Sequence, residues 1–188
     1  MMNKTILMMD SSKGFQCDRE AKDLFTATTL NFFITQPDCA GVKYYEMDYA
    51  GNLVDYGSKN AYSKARADVV IRYEYINGSV EWYVVELKER PRWGHSYWLV
   101  TDPDEGEIME QDKKSVLDDY KRKGCTTVWA ALYNDKKFRL WFLNDLGPLK
   151  TKTITKHKTT VLYTEEKVTE EELLLPSDKS IIMDVVEW

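Results

Sequence analysis

Histidine is nearly absent from this chain: His95 and His157 are the only two in 188 residues. That argues against a histidine-rich metal site and against a zinc protease. Cysteine is scarce as well. Cys17, Cys39 and Cys125 are odd in number and widely spaced, which argues against a disulfide framework or a zinc site and predicts a reducing, cytoplasmic setting. No apolar run approaches the roughly 18 residues of a membrane span, and Met1 to Met9 is too short and too polar for a secretory signal. There is no Gly-x-Ser-x-Gly elbow, no P-loop and no Cys-His pair. Positive charge does not dominate either. With 26 Lys and Arg against 31 Asp and Glu, the net charge is −5. That balance weighs against tight nonspecific binding along DNA, although a local basic patch would suffice.

What remains is an ordinary globular balance, 43% hydrophobic and 30% charged, with 13% aromatic residues. No repeat or linker interrupts it, so one domain with a real core is expected. The pattern predicts an α/β fold with a mixed sheet flanked by helices. Residues 1–14 read as an extended lead-in. Asp18 caps a helix over Glu20–Ile34 whose stripe is Ala21, Leu24, Phe25, Thr28 and Phe32, and Pro37 ends it. Val42–Tyr49 reads as a strand and Leu53–Arg66 as an irregular loop. Glu107–Lys123 reads as a second helix stopped by Gly124. Strands follow over Thr126–Tyr133 and Phe138–Leu143, then a Lys-rich edge strand or strand pair within residues 150–164, and a final apolar segment from Ile181.

One stretch carries chemistry. Ala67-Asp68-Val69-Val70-Ile71 and Trp82-Tyr83-Val84-Val85-Glu86-Leu87-Lys88 read as two strands, joined across an Asn77-Gly78 hairpin signal. Counting from the turn sets Asp68 opposite Glu86 at one end of the hairpin. Side chains two apart share a strand face, so Glu86 and Lys88 project together. Two carboxylates and a lysine at paired strand ends can hold a hard divalent cation and a water beside a phosphodiester. Asp68, Glu86 and the Leu87 carbonyl are the candidate ligands of Mg²⁺ or Mn²⁺, with Lys88 set to orient water or steady the phosphate. The same residues also suit plain solvated strand ends.

Two further segments suit nucleic acid. Arg90, Arg92, Trp93, Tyr97 and Trp98 interleave bases with aromatics directly after Lys88; arginine pairs with phosphate and aromatics stack on bases. Lys64 and Arg66 precede Asp68 and offer phosphate contacts. A core-covering loop and a solvated loop explain these two segments equally well.

Asp68…Glu86-Leu87-Lys88 resembles the signature of the PD-(D/E)xK nuclease superfamily, with Ala67 where the family's proline stands. The resemblance covers residues 15–145 and leaves a C-terminal extension over 150–188. It implies a restriction-endonuclease-like fold in the order helix, three strands, helix, strands, similar to Holliday-junction-resolvase-like or phage-type members. It also implies a metal-dependent nuclease acting on nucleic acid, DNA first, and a homodimer. Glu20 on the first helix becomes a candidate site acid, although acids favour a helix's first turn in any case. On the second helix Gln111 is a candidate, with Lys113 and Lys114 as alternatives. A catalytically inactive member of the same fold, binding nucleic acid or protein or acting as an inhibitor, is the alternative.

Overall fold

A computed structural model describes residues 11–90, 106–133, 135–159 and 165–186. Two helices and ten strands are described in the order α1 (Ser11–Ile34), β1 (Cys39–Met47), β2 (Leu53–Asp55), β3 (Val69–Tyr75), β4 (Val80–Arg90), β5 (Gly106–Met109), α2 (Gln111–Arg122), β6 (Thr126–Tyr133), β7 (Lys137–Phe142), β8 (Lys150–Thr159), β9 (Glu165–Pro176) and β10 (Ile181–Asp184). Seven strands form one mixed sheet, β10-β7-β6-β4-β3-β1-β2, and β5-β9-β8 form a second. No helix among the described residues is long and apolar enough to cross a membrane.

The period of two in β3 and β4 divides the core into two layers. Val69, Ile71, Tyr83, Val85 and Leu87 pack with Ala21, Phe25 and Phe33 of α1. Val70 and Val84 pack on the opposite face with Leu117 of α2, Trp129 and Trp141. A strand buried on both faces reads as a continuous apolar run, and Val69 and Val85 are fully buried. Each such side chain contributes roughly 1.5–3 kcal/mol. The β3–β4 turn has the residue after Asn77, Gly78, at φ +85°. The N–H of Tyr75 donates to Ser79 O at 2.9 Å, so a three-residue loop ending in a left-handed glycine closes the hairpin. β4 and β6 are parallel neighbours, with β5 and α2 in the crossover between them.

Four expectations change. α1 begins at Ser11, inside the stretch read as an extended lead-in; no proline lies in residues 11–34 to stop the helix upstream of Asp18. Leu53–Asp55 of the supposed loop forms β2 on β1. Gly106–Met109 is a strand rather than the start of α2, because it pairs with β9 in the register Gly106↔Pro176 to Met109↔Leu173. The C-terminal segment enters both sheets: β9 holds β5, and β10 lies on β7 with Met183 in the core.

Candidate active site

The hairpin register sets the site. Val69 pairs with Val85 and Val70 with Val84, so the next step outward aligns Asp68 with Glu86. The Asp68 N–H donates to Val85 O at 3.0 Å, and the Leu87 N–H donates to Asp68 Oδ2 at 2.8 Å. Asp68 thereby continues the ladder with its side chain. N–H and C=O of one strand residue point to the same edge, so the Leu87 carbonyl faces the edge that Asp68 caps.

Glu86 is buried, with its carboxylate only 5% exposed. A buried carboxylate requires partners. Lys88 Nζ lies 2.9 Å from Glu86 Oε1, and Lys113 Nζ from the first turn of α2 lies 3.2 Å from the same oxygen. Lys88 also sits 5.6 Å above the Trp129 ring. On the α1 side, Lys22 Nζ stands 3.9 Å from Asp68 Oδ1 and 3.4 Å from Glu46 Oε1. Arg19 and the Gly57 N–H complete the Glu46 carboxylate at 2.8 and 2.9 Å. Ala21, Lys22, Asp68, Leu87 and Glu89 line a slight surface depression here.

The electrostatics follow from this crowding. Burial, and next to it the charge of Glu86, push the Asp68 carboxyl up to about 6, against the Leu87 N–H, Lys22 and Lys88. Burial opposes the charge on Lys88, but Glu86, Glu110 and Asp68 outweigh it and hold the ammonium above its ordinary value. Glu110 stands at the N-cap of α2, and its Oε2 is buried without a hydrogen-bond partner.

Among the described residues no three acidic, histidine or cysteine side chains gather into a protein-only metal cage. Mg²⁺ does not need one, since one or two carboxylates plus several waters suffice. The oxygens of Asp68, Glu86 and Leu87 are of the required hard type. Burial first, and the charge of Glu86 next, raise the Asp68 carboxyl, so a second negative charge on the pair is disfavoured unless a cation stands beside it. The donor set therefore fits a small dication.

The remaining site candidates fall differently. Glu20 is exposed, and the residue of its turn that reaches the pair is Lys22. Arg90 was expected to meet phosphate. It is instead buried on Glu107, with Nε at 2.7 Å and a second nitrogen at 2.5 Å from Oε1. Glu107 is fully buried and also accepts from the Tyr133 hydroxyl; burying this carboxylate consumes the guanidinium. Arg66 pairs with Asp119 at 2.9 Å in the last turn of α2, and Lys64 is exposed. Gln111 fastens β9, its N–H donating to Glu172 and its side chain to Glu171 O. Arg92, Trp93, Tyr97 and Trp98 lie outside the described residues. Lys22 escaped the sequence reading, although a lysine three residues before Phe25 on the buried flank of a helix is a legible signal.

Set against known proteins, the chain matches no family model, no curated protein and no solved structure.

Proposed function

We propose that this protein is a metal-dependent nuclease that hydrolyses phosphodiester bonds in nucleic acid, with DNA the first substrate to test. The observation that carries the reading is the alignment of Asp68 with Glu86 at the open end of β3–β4, with Lys88 beside Glu86. The order of α1, the adjacent strands β1, β3 and β4, α2 and β6 supports the restriction-endonuclease-like fold implied by the PD-(D/E)xK resemblance, with the short β2 added at the β1 edge and β5 in the second sheet. Unbonded Cys39 and Cys125 support a cytoplasmic setting, and a homodimer belongs to the same proposal.

Asp68, Glu86 and the Leu87 carbonyl would hold Mg²⁺ or Mn²⁺, which when bound lowers the pKa of a water and offsets phosphate charge. The chain's own residues do the rest. The Leu87 N–H fixes the Asp68 carboxylate, and Lys88 sits where an ammonium can steady a developing phosphorane.

The test is a panel of labelled single-stranded, duplex, flap and four-way-junction DNA, with RNA equivalents, incubated in Mg²⁺, Mn²⁺ and EDTA. Cation-dependent cleavage is expected. Lys88→Ala should lose most of it while keeping cation and substrate binding, because a contact made in the transition state affects rate more than affinity. Cleavage unchanged in that variant removes Lys88 from the mechanism. One observation favours a second reading, a non-catalytic binding or inhibitor protein on the same fold. Both carboxylates already stand near lysine amines. Calorimetric titration of Mn²⁺ separates the two: uptake that Asp68→Asn abolishes supports the nuclease, and absence of uptake supports the second reading.

A further inference from the structure

Three amines surround the carboxylate pair, and they are not equivalent. The Lys22 side chain is 8% exposed and is held between Glu46 and Asp68. That of Lys88 is 22% exposed; the indole face of Trp129 lies under it, and the Glu110 carboxylate acts on it. The Lys113 side chain is 36% exposed, and among the described residues its ammonium has Glu86 as its one partner. Lys113 also stands in the first turn of α2. The positive end of the helix dipole disfavours a cation there, so helix stability does not account for it. Lys88 and Lys113 share one oxygen, Glu86 Oε1.

A dication approaching that oxygen repels both ammonium groups. Lys88 can stay, because Trp129 and Glu110 remain on its other sides and one Glu110 oxygen is buried without a hydrogen-bond partner. Among the described residues Lys113 has no second partner to hold it. Resting on the nuclease reading above, we infer that Lys113 is an exchange residue: it holds Glu86 while no divalent cation is bound, and it turns to a backbone phosphate of the nucleic acid when a cation takes the oxygen. Cation and nucleic acid then assist each other's binding. By linkage, each raises the affinity of the other by the same factor.

Two titrations test this. In the first, Mn²⁺ is titrated by calorimetry into wild type, Lys113→Gln and Lys113→Arg without nucleic acid. Lys113→Gln should bind roughly fivefold tighter, because a partly exposed competing ion pair is gone; a merely structural lysine would not give a gain. In the second, anisotropy of a labelled DNA duplex with a single-stranded tail is followed over a salt series in EDTA and in Ca²⁺. In EDTA the wild type and Lys113→Gln should share one salt slope, since Glu86 occupies the lysine. In Ca²⁺ the wild type should exceed Lys113→Gln by about one in slope, the worth of one phosphate contact. Lys113→Arg should behave as wild type there. Unchanged or weaker Mn²⁺ binding by Lys113→Gln, equal slopes in Ca²⁺, or no DNA binding by wild type overturns the inference and leaves the cation site standing. Absence of Mn²⁺ uptake by wild type overturns the site reading itself, and the inference with it.

Discussion

Between about pH 4 and pH 6 the folded chain holds a proton on Asp68 that the unfolded chain has released, because burial and Glu86 lift its carboxyl from 3.8 to about 6. A carboxyl raised on folding makes stability fall as pH rises through that window, and the deficit is complete above it. Asp68→Asn keeps an oxygen that can accept the Leu87 N–H and removes the charge. In EDTA at pH 7.5 it should be more stable than wild type by on the order of 1–3 kcal/mol, with the difference gone near pH 4. Thermal melts at the two pH values check this, and a variant less stable at both would contradict it. At this scale the sequence exposed Asp68, Glu86 and Lys88 because a turn and a period of two set their positions. It hid Lys22, which α1 brings in from one layer, and offered Lys113, which α2 brings in from the other, only as an alternative to Gln111. It misassigned Arg90 because the partner that decides its role, Glu107, lies 17 residues on.

Among the elements, the β3–β4 hairpin was legible because its instructions are local: Asn77-Gly78 and two apolar runs. β5 was not. Glu107, Ile108 and Met109 suit a helix taken alone, and only pairing with Leu173–Pro176, more than sixty residues away, makes them a strand. Two variants probe that pairing. At Gly106, φ is +130° and an added Cβ would lie 1.8 Å from Leu175 O. Gly106→Ala should therefore separate β5 from β9, and hydrogen exchange should show lost protection in both strands. Arg90→Met leaves the buried Glu107 carboxylate with the Tyr133 hydroxyl but without its guanidinium partner. Removing one partner of a buried ion pair costs about 3–5 kcal/mol, so the urea midpoint should fall steeply. An unfolding free energy within about 0.5 kcal/mol of wild type, the ordinary range of a surface change, would show that the network is solvated.

At the scale of the molecule, the last described residues complete what the first begin. β10 pairs with β7, Met183 enters the α1-side core, and the Val186 N–H donates to Thr28 Oγ1 on α1 at 2.9 Å. Deleting residues 177–188 should lower stability by at least the roughly 1.5–3 kcal/mol of one buried side chain, visible as a lower melting temperature. Mn²⁺ uptake by the fraction still folded should persist, since no site residue lies beyond Lys113. The same closure sets an order of events during synthesis. A chain emerging from the ribosome at roughly 5–20 residues per second presents Asp68, Glu86 and Lys88 several seconds before β9 and β10 exist. Until then β5 and β7 each lack one neighbouring strand. Long-range pairings of this kind also close slowly once all residues are available. Both sheets are thereby kept from their finished form while the chain is still attached to the machinery that makes it.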